Sequence, residues 1–80
     1  MFFVKLGRAD LDDIQQGGVV RVHTLDASTS HAVYSQRATP QKMPAWATRG
    51  LALSEAQVDL LRAGGKVVVD GTAELSLVRR

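Results

Sequence analysis

The chain has no cysteine, and its aromatic residues are two phenylalanines, one tyrosine and one tryptophan among 80 residues. Without cysteine there can be no disulfide, no thiolate nucleophile and no Cys-ligated zinc or iron–sulfur site. Two prolines and no long apolar run complete the list of scarcities. No segment approaches the roughly 20 apolar residues that a membrane-spanning helix requires. The apolar start Met1–Val4 is followed at once by Lys5 and lacks the charged lead of a signal peptide. Charge of either sign is also scarce in the total. Ten Lys and Arg against eight Asp and Glu leave +2, and Arg79 and Arg80 supply that whole excess. The expectation is a soluble, cytoplasmic chain with no membrane association and no cofactor.

What is present is the balance of an ordinary folded domain, 45% hydrophobic and 22% charged, outside the disordered range. Eighty residues leave room for a single core. Sliding the sequence by 47 positions lays Val4–Val22 over Leu51–Val69. Identities then fall at Leu6/Leu53, Ala9/Ala56, Asp12/Asp59, Gly17/Gly64, Gly18/Gly65, Val20/Val67 and Val22/Val69. Each unit reads as a strand, a short helix closed by Gly-Gly, a strand and a return strand. In the second copy Ser54 and Gln57 form a capping box, with Leu53 and Val58 as its hydrophobic staple. Val58 and Leu61, with Leu60 nearby, make a narrow apolar stripe. In the first copy Leu11 and Ile14 carry the buried face, Gly7 stands where Ser54 does, and Asp10, Asp12 and Asp13 load the positive end of the helix dipole. Asp70-Gly71 marks a tight hairpin, whereas Asp26–Ser30 reads as a longer polar turn after a strand at Val19–Leu25.

The expected fold class is therefore α+β: one small domain over residues 1–80 with a mainly antiparallel sheet and two short helices on one face. It would be built from a duplicated β-α-β-β unit, with halves 2–36 and 49–80 joined by an irregular arm, 37–50. Because Val67–Val69 and Phe2-Phe3 are apolar on both sides of their strands, and two helices cover one face only, a second copy is expected to close the other face as a homodimer.

The arm is where function is sought. From Ala27 to Ser54 there is no acidic residue, while Arg37, Lys42 and Arg49 are basic. The acids sit on the helices and their flanks. Long irregular connections are often functional. Gln36, Arg37, Gln41, Lys42, Met43, Trp46 and Arg49 are the partner-binding set. The cations would meet an acidic surface of a larger protein, the glutamines would give direction, and Met43 and Trp46 would be anchors of the type enriched at hot spots. Trp46 and Met43 could instead fold back to plug the core.

Other chemistry finds little support in the residues. His23 and His31 could face each other across a hairpin, but without a third ligand they read as half-exposed polar strand positions. Ser28 or Ser30, His31 and Asp26 share one turn with no oxyanion hole around them. The Gly-Gly pairs follow their helices, whereas phosphate cradles precede them. The chain reads as no enzyme and holds no metal site. A nucleic-acid reading would use Arg21, Arg37, Lys42, Arg49, Arg79 and Arg80, but there is no Lys/Arg run and no basic recognition helix. The favoured expectation is a small non-enzymatic protein-binding regulator, inhibitor or adaptor, of a kind that would suit a bacterium or a phage.

Overall fold

Two Gly-Gly pairs and one Asp-Gly pair punctuate the chain, and each ends an element for a visible backbone reason. A computed structural model of the chain describes residues 2–23 and 29–78. Along it run β1 (Phe2–Leu6), α1 (Arg8–Gln15), β2 (Val20–His23), β3 (Ser30–Ser35), a 3-10 turn (Gln36–Ala38), β4 (Arg49–Leu53), α2 (Glu55–Arg62), β5 (Lys66–Val69) and β6 (Ala73–Leu77). Both helices close in the same way. Gly17 and Gly64 take φ of 93° and 90°, a conformation that side chains with a Cβ disfavour. The next amides, of Gly18 and Gly65, donate back to the carbonyls of Asp13 and Leu60 at 2.7 and 2.9 Å, which is the Schellman arrangement. Asp70 and Gly71 both have positive φ, 54° and 66°, as the central residues of a primed turn do, and the Thr72 amide closes it on the Val69 carbonyl at 3.1 Å before Val69 pairs with Ala73.

At their starts the helices differ. Ser54 Oγ accepts from the Gln57 amide at 3.2 Å, and Gln57 Oε1 accepts from the Ser54 amide at 2.8 Å. Gly7 has no side chain to complete such a pair, and only the return bond forms, from the Gly7 amide to Asp10 Oδ2 at 2.9 Å. Each helix buries two residues, Leu11 and Ile14 in α1, Val58 and Leu61 in α2. Leu60, expected near that stripe, is instead 48% exposed.

The fold is α+β, but its strands form two three-stranded sheets, ordered β1-β6-β5 and β2-β3-β4. Each is mixed. β5 and β2 pair antiparallel with β6 and β3, while β1 and β4 join those same central strands in parallel. This corrects the expected mainly antiparallel sheet with both helices on one face. Local alternation identifies strands and hairpins, but the partner of β1 lies at the far end of the chain, with Phe2 opposite Ala73. The β1 and β4 strands therefore each complete the hairpin of the opposite half.

The inner faces of both sheets and the buried sides of both helices meet in one core. Val4, Leu6, Val67, Leu75 and Leu77 enter it from one sheet, and Val22, Val33, Leu51 and Leu53 from the other. Each sheet thus covers the inner face of the other, while Phe3 and Val68 on the outer face of β1-β6-β5 stay exposed. Among the described residues, no helix is long and apolar enough to cross a membrane.

Candidate functional site

The second sheet is covered on its outside as well as its inside. Side chains alternate between faces along a strand, so Val20, Val22, Val33, Leu51 and Leu53 point to the core. Arg21, His23, Ala32, Tyr34, Gly50 and Ala52 then share the outer face. Arg21, Ala32 and Gly50 stand side by side across the three strands. All six residues of β3 are buried, including Ala32 and Tyr34, because the arm lies over this face.

The small residues make that covering possible. A Cβ added at Gly50 would come within 2.9 Å of both Met43 Cε and Tyr34 Oη, closer than real Cβ contacts allow. Met43 is half-buried against this floor. The arm then turns tightly, with the Ala47 amide donating to the Pro44 carbonyl at 3.0 Å. This turn sets Trp46, also half-buried, under the Arg21 guanidinium, whose carbon lies 5.0 Å from the ring centroid. Such a stack is attractive because the ring face is electron-rich.

A polar network holds the stack in place. Arg21 donates to Ser30 Oγ at 3.3 Å, and Ser30 Oγ is 3.1 Å from His23 Nδ1. The Thr48 amide donates to the Ser30 carbonyl at 2.7 Å, and Thr48 Oγ1 accepts from the Ser30 amide at 3.3 Å. The end of the arm is thereby tied to the start of β3.

The predicted binding residues divide into separate groups. Trp46 joins Arg21 rather than the hydrophobic core, and Met43 joins Tyr34. Gln41 and Lys42 are exposed on the same segment. At the other end of the arm, Arg37 is paired with Glu55 of α2, and its amide donates to Ser35 Oγ at 3.2 Å. Gln36 is exposed, and its carbonyl accepts from Thr39 Oγ1 at 3.0 Å. Arg49 is exposed at the start of β4, beside His31 and away from Trp46's floor. Arg79 and Arg80, like the strand end and polar turn expected at residues 24–28, lie outside the described residues. Tyr34, Ser30, His23 and Gly50 complete the site, and none of them belongs to the set expected to bind a partner. The alternation Gly50-Leu51-Ala52-Leu53 was the available signal, since it sets small residues opposite large ones on a strand with two covered faces.

The two histidines do not face each other. His23 is exposed on the outer face, whereas His31 points inward, is 5% exposed and lies opposite Val22. The half-exposed reading fails for His31. Its ring packs on Phe2 with centroids 4.6 Å apart, and neither ring nitrogen has a hydrogen-bond partner among the described residues. Burial first, and the Arg49 charge second, hold its pKa below the ordinary 6.5. A neutral, unpartnered imidazole fits this apolar setting. No group of three His, Asp or Glu side chains among the described residues could hold a metal ion. No protein-family model, curated protein or solved structure matches this chain.

Proposed function

We propose that the chain is a non-enzymatic protein-binding module, a small regulator, inhibitor or adaptor, that docks its Trp46-bearing face on an acidic surface of a larger protein. The observation that carries this reading is the Arg21–Trp46 stack on a floor of Ala32 and Gly50. Trp and Arg dominate interface hot spots, and a pair already held in place loses less freedom on binding. Trp46 keeps part of its ring in solvent, and Lys42 stands exposed on the same segment with no acidic neighbour in sequence. Arg37, tied to Glu55, leaves the proposed contact set, and Arg49 borders it.

We further infer that the scaffold is a duplicated β-α-β-β unit. The shared 47-residue offset, the matching Schellman closures at Gly17 and Gly64 and the reciprocal placing of β1 and β4 support this. A repeated scaffold leaves the unrepeated arm as the segment free to specialise.

Trp46 is the only tryptophan, so its fluorescence reports the site directly. Titration with polyglutamate at low salt should shift its emission, and Arg21→Ala or Lys42→Ala should weaken that binding several-fold. The reading is overturned if a thymidine oligonucleotide binds with a steep salt dependence while polyglutamate does not, or if neither moves Trp46.

A further inference from the structure

The two helices border two corresponding clefts, one filled by the chain and one open among the described residues. In each, the end of one helix, the start of the other and the end of a central strand come together. Gly17, Glu55 and Ser35 border the first, and Gly64, Arg8 and Leu77 the second. Gly17 and Gly64, like Arg8 and Glu55, are related by the 47-residue offset. Ser35 and Leu77 are placed alike by their partners, Leu53 and Leu6.

The first cleft shows what such a site accepts. The chain leaving β3 turns back across it, Arg37 pairs with Glu55, and Ala38 Cβ lies 3.5 Å from where a side chain on Gly17 would begin. About 260 Å³ of open space remains. The second cleft keeps about 640 Å³. Ala9, Ala63 and Gly64 form its walls, with Leu77 and the 41% exposed Val78 at its base. Its surface is mostly apolar, and its charges are both cationic. Arg62 is already engaged, donating to Asp12 Oδ1 at 2.6 Å and to Gln15 Oε1 at 3.1 Å. Arg8 is exposed, and its side chain makes no ion pair or hydrogen bond among the described residues. Where Arg37 follows Ser35 by two residues, the sequence after Leu77 offers Arg79, a like charge to Arg8.

The geometry points to this open cleft as a groove for an extended acidic peptide segment of a partner protein. That segment sets a Glu or Asp carboxylate on Arg8 and a small apolar side chain over Gly64. The filled cleft is its template with the charges exchanged: a cation on the incoming chain meets Glu55, so an anion meets Arg8. An exposed ion pair contributes little on its own, which makes selectivity rather than tightness the property to measure. The groove is independent of the Trp46 face.

The test uses the whole chain, labelled for amide NMR, and two hexapeptides. One copies residues 35–40, Ser-Gln-Arg-Ala-Thr-Pro, and the other carries Glu in place of the arginine. The Glu peptide should move the amides of Arg8, Ala9, Ala63 and Gly64 and bind about three- to tenfold more tightly than the Arg peptide, the scale of an exposed ion pair exchanged for a like-charge contact. Arg8→Glu should reverse that preference. It places a carboxylate at the first turn of α1, where the helix dipole favours it, so the fold is preserved and amide dispersion verifies this. The proposal is overturned if neither peptide moves those amides at millimolar concentration, if both bind equally, or if the preference survives Arg8→Glu.

Discussion

Across the outer face of β2-β3-β4 run Arg21, Ala32 and Gly50, while across that of β1-β6-β5 run Val68, Glu74 and Phe3. The inner faces of the two sheets are equivalent, both apolar and both spent in one core. The outer faces diverge because of side-chain size. Ala32 and Gly50 leave a hollow in which Met43 rests, with Trp46 on the same segment stacked against Arg21. On the other sheet Lys5, Lys66, Glu74 and Ser76 occupy the outer face, Lys5 and Lys66 exposed. Phe3 is 68% and Val68 48% exposed there, and no described segment crosses them. Small residues on the second face of a strand thus call for a covering segment, and long polar ones make it unnecessary.

Filling the hollow should have the largest effect. Gly50→Val drives a branched side chain into Met43 and Tyr34 and should cost about 1–3 kcal/mol, as overpacking does. Chemical denaturation measures the loss, and a red shift of Trp46 emission would show the arm unseated. An unchanged midpoint would mean that the arm does not rest on Gly50. Arg21→Ala is next, at about 0.5–1 kcal/mol for a stack with an exposed guanidinium. A double-mutant cycle with Trp46→Phe separates the stack from the Ser30 contact.

Acidification distinguishes the sheets by chemistry, since His31 is buried in one and the other has no histidine. The folded protein holds His31 neutral below the pH of about 6.5 at which the unfolded chain takes up the proton. Its contribution is therefore complete above that pH and is lost as the pH falls through it. Denaturation midpoints at pH 7.5 and 5.5 should differ in that direction, and His31→Phe should flatten the difference. A profile equally steep in His31→Phe would assign it to other groups. Val68→Thr on the uncovered face should give the smallest effect, within about 0.5 kcal/mol. A loss well beyond that would mean that the face is covered in solution.

Much of the local structure was legible. Ser54, Gln57, Gly17, Gly64 and Asp70-Gly71 act over a few residues through hydrogen bonds and backbone angles, and each behaves as its chemistry predicts. Leu60 misled because it neighbours a buried stripe without sharing its direction. The candidate site was half visible. Trp46 and Met43 stood out as anchors, and the acid-free stretch set their surroundings. Arg21, read with the nucleic-acid set, meets Trp46, and Arg37, read with the arm, pairs with Glu55 of α2. Those pairings bridge sequence separations that no periodicity records.

The residues in their order set the helices and their caps, the hairpin at Asp70-Gly71 and the charge-segregated arm. All of these depend on interactions within a turn or two of chain. The division into two mixed sheets, the burial of His31, the seating of Trp46 beneath Arg21 and the contrast between a filled and an open cleft arise from contacts between distant segments. These follow from which faces need covering and which segment is left to cover them, and local sequence does not carry that choice.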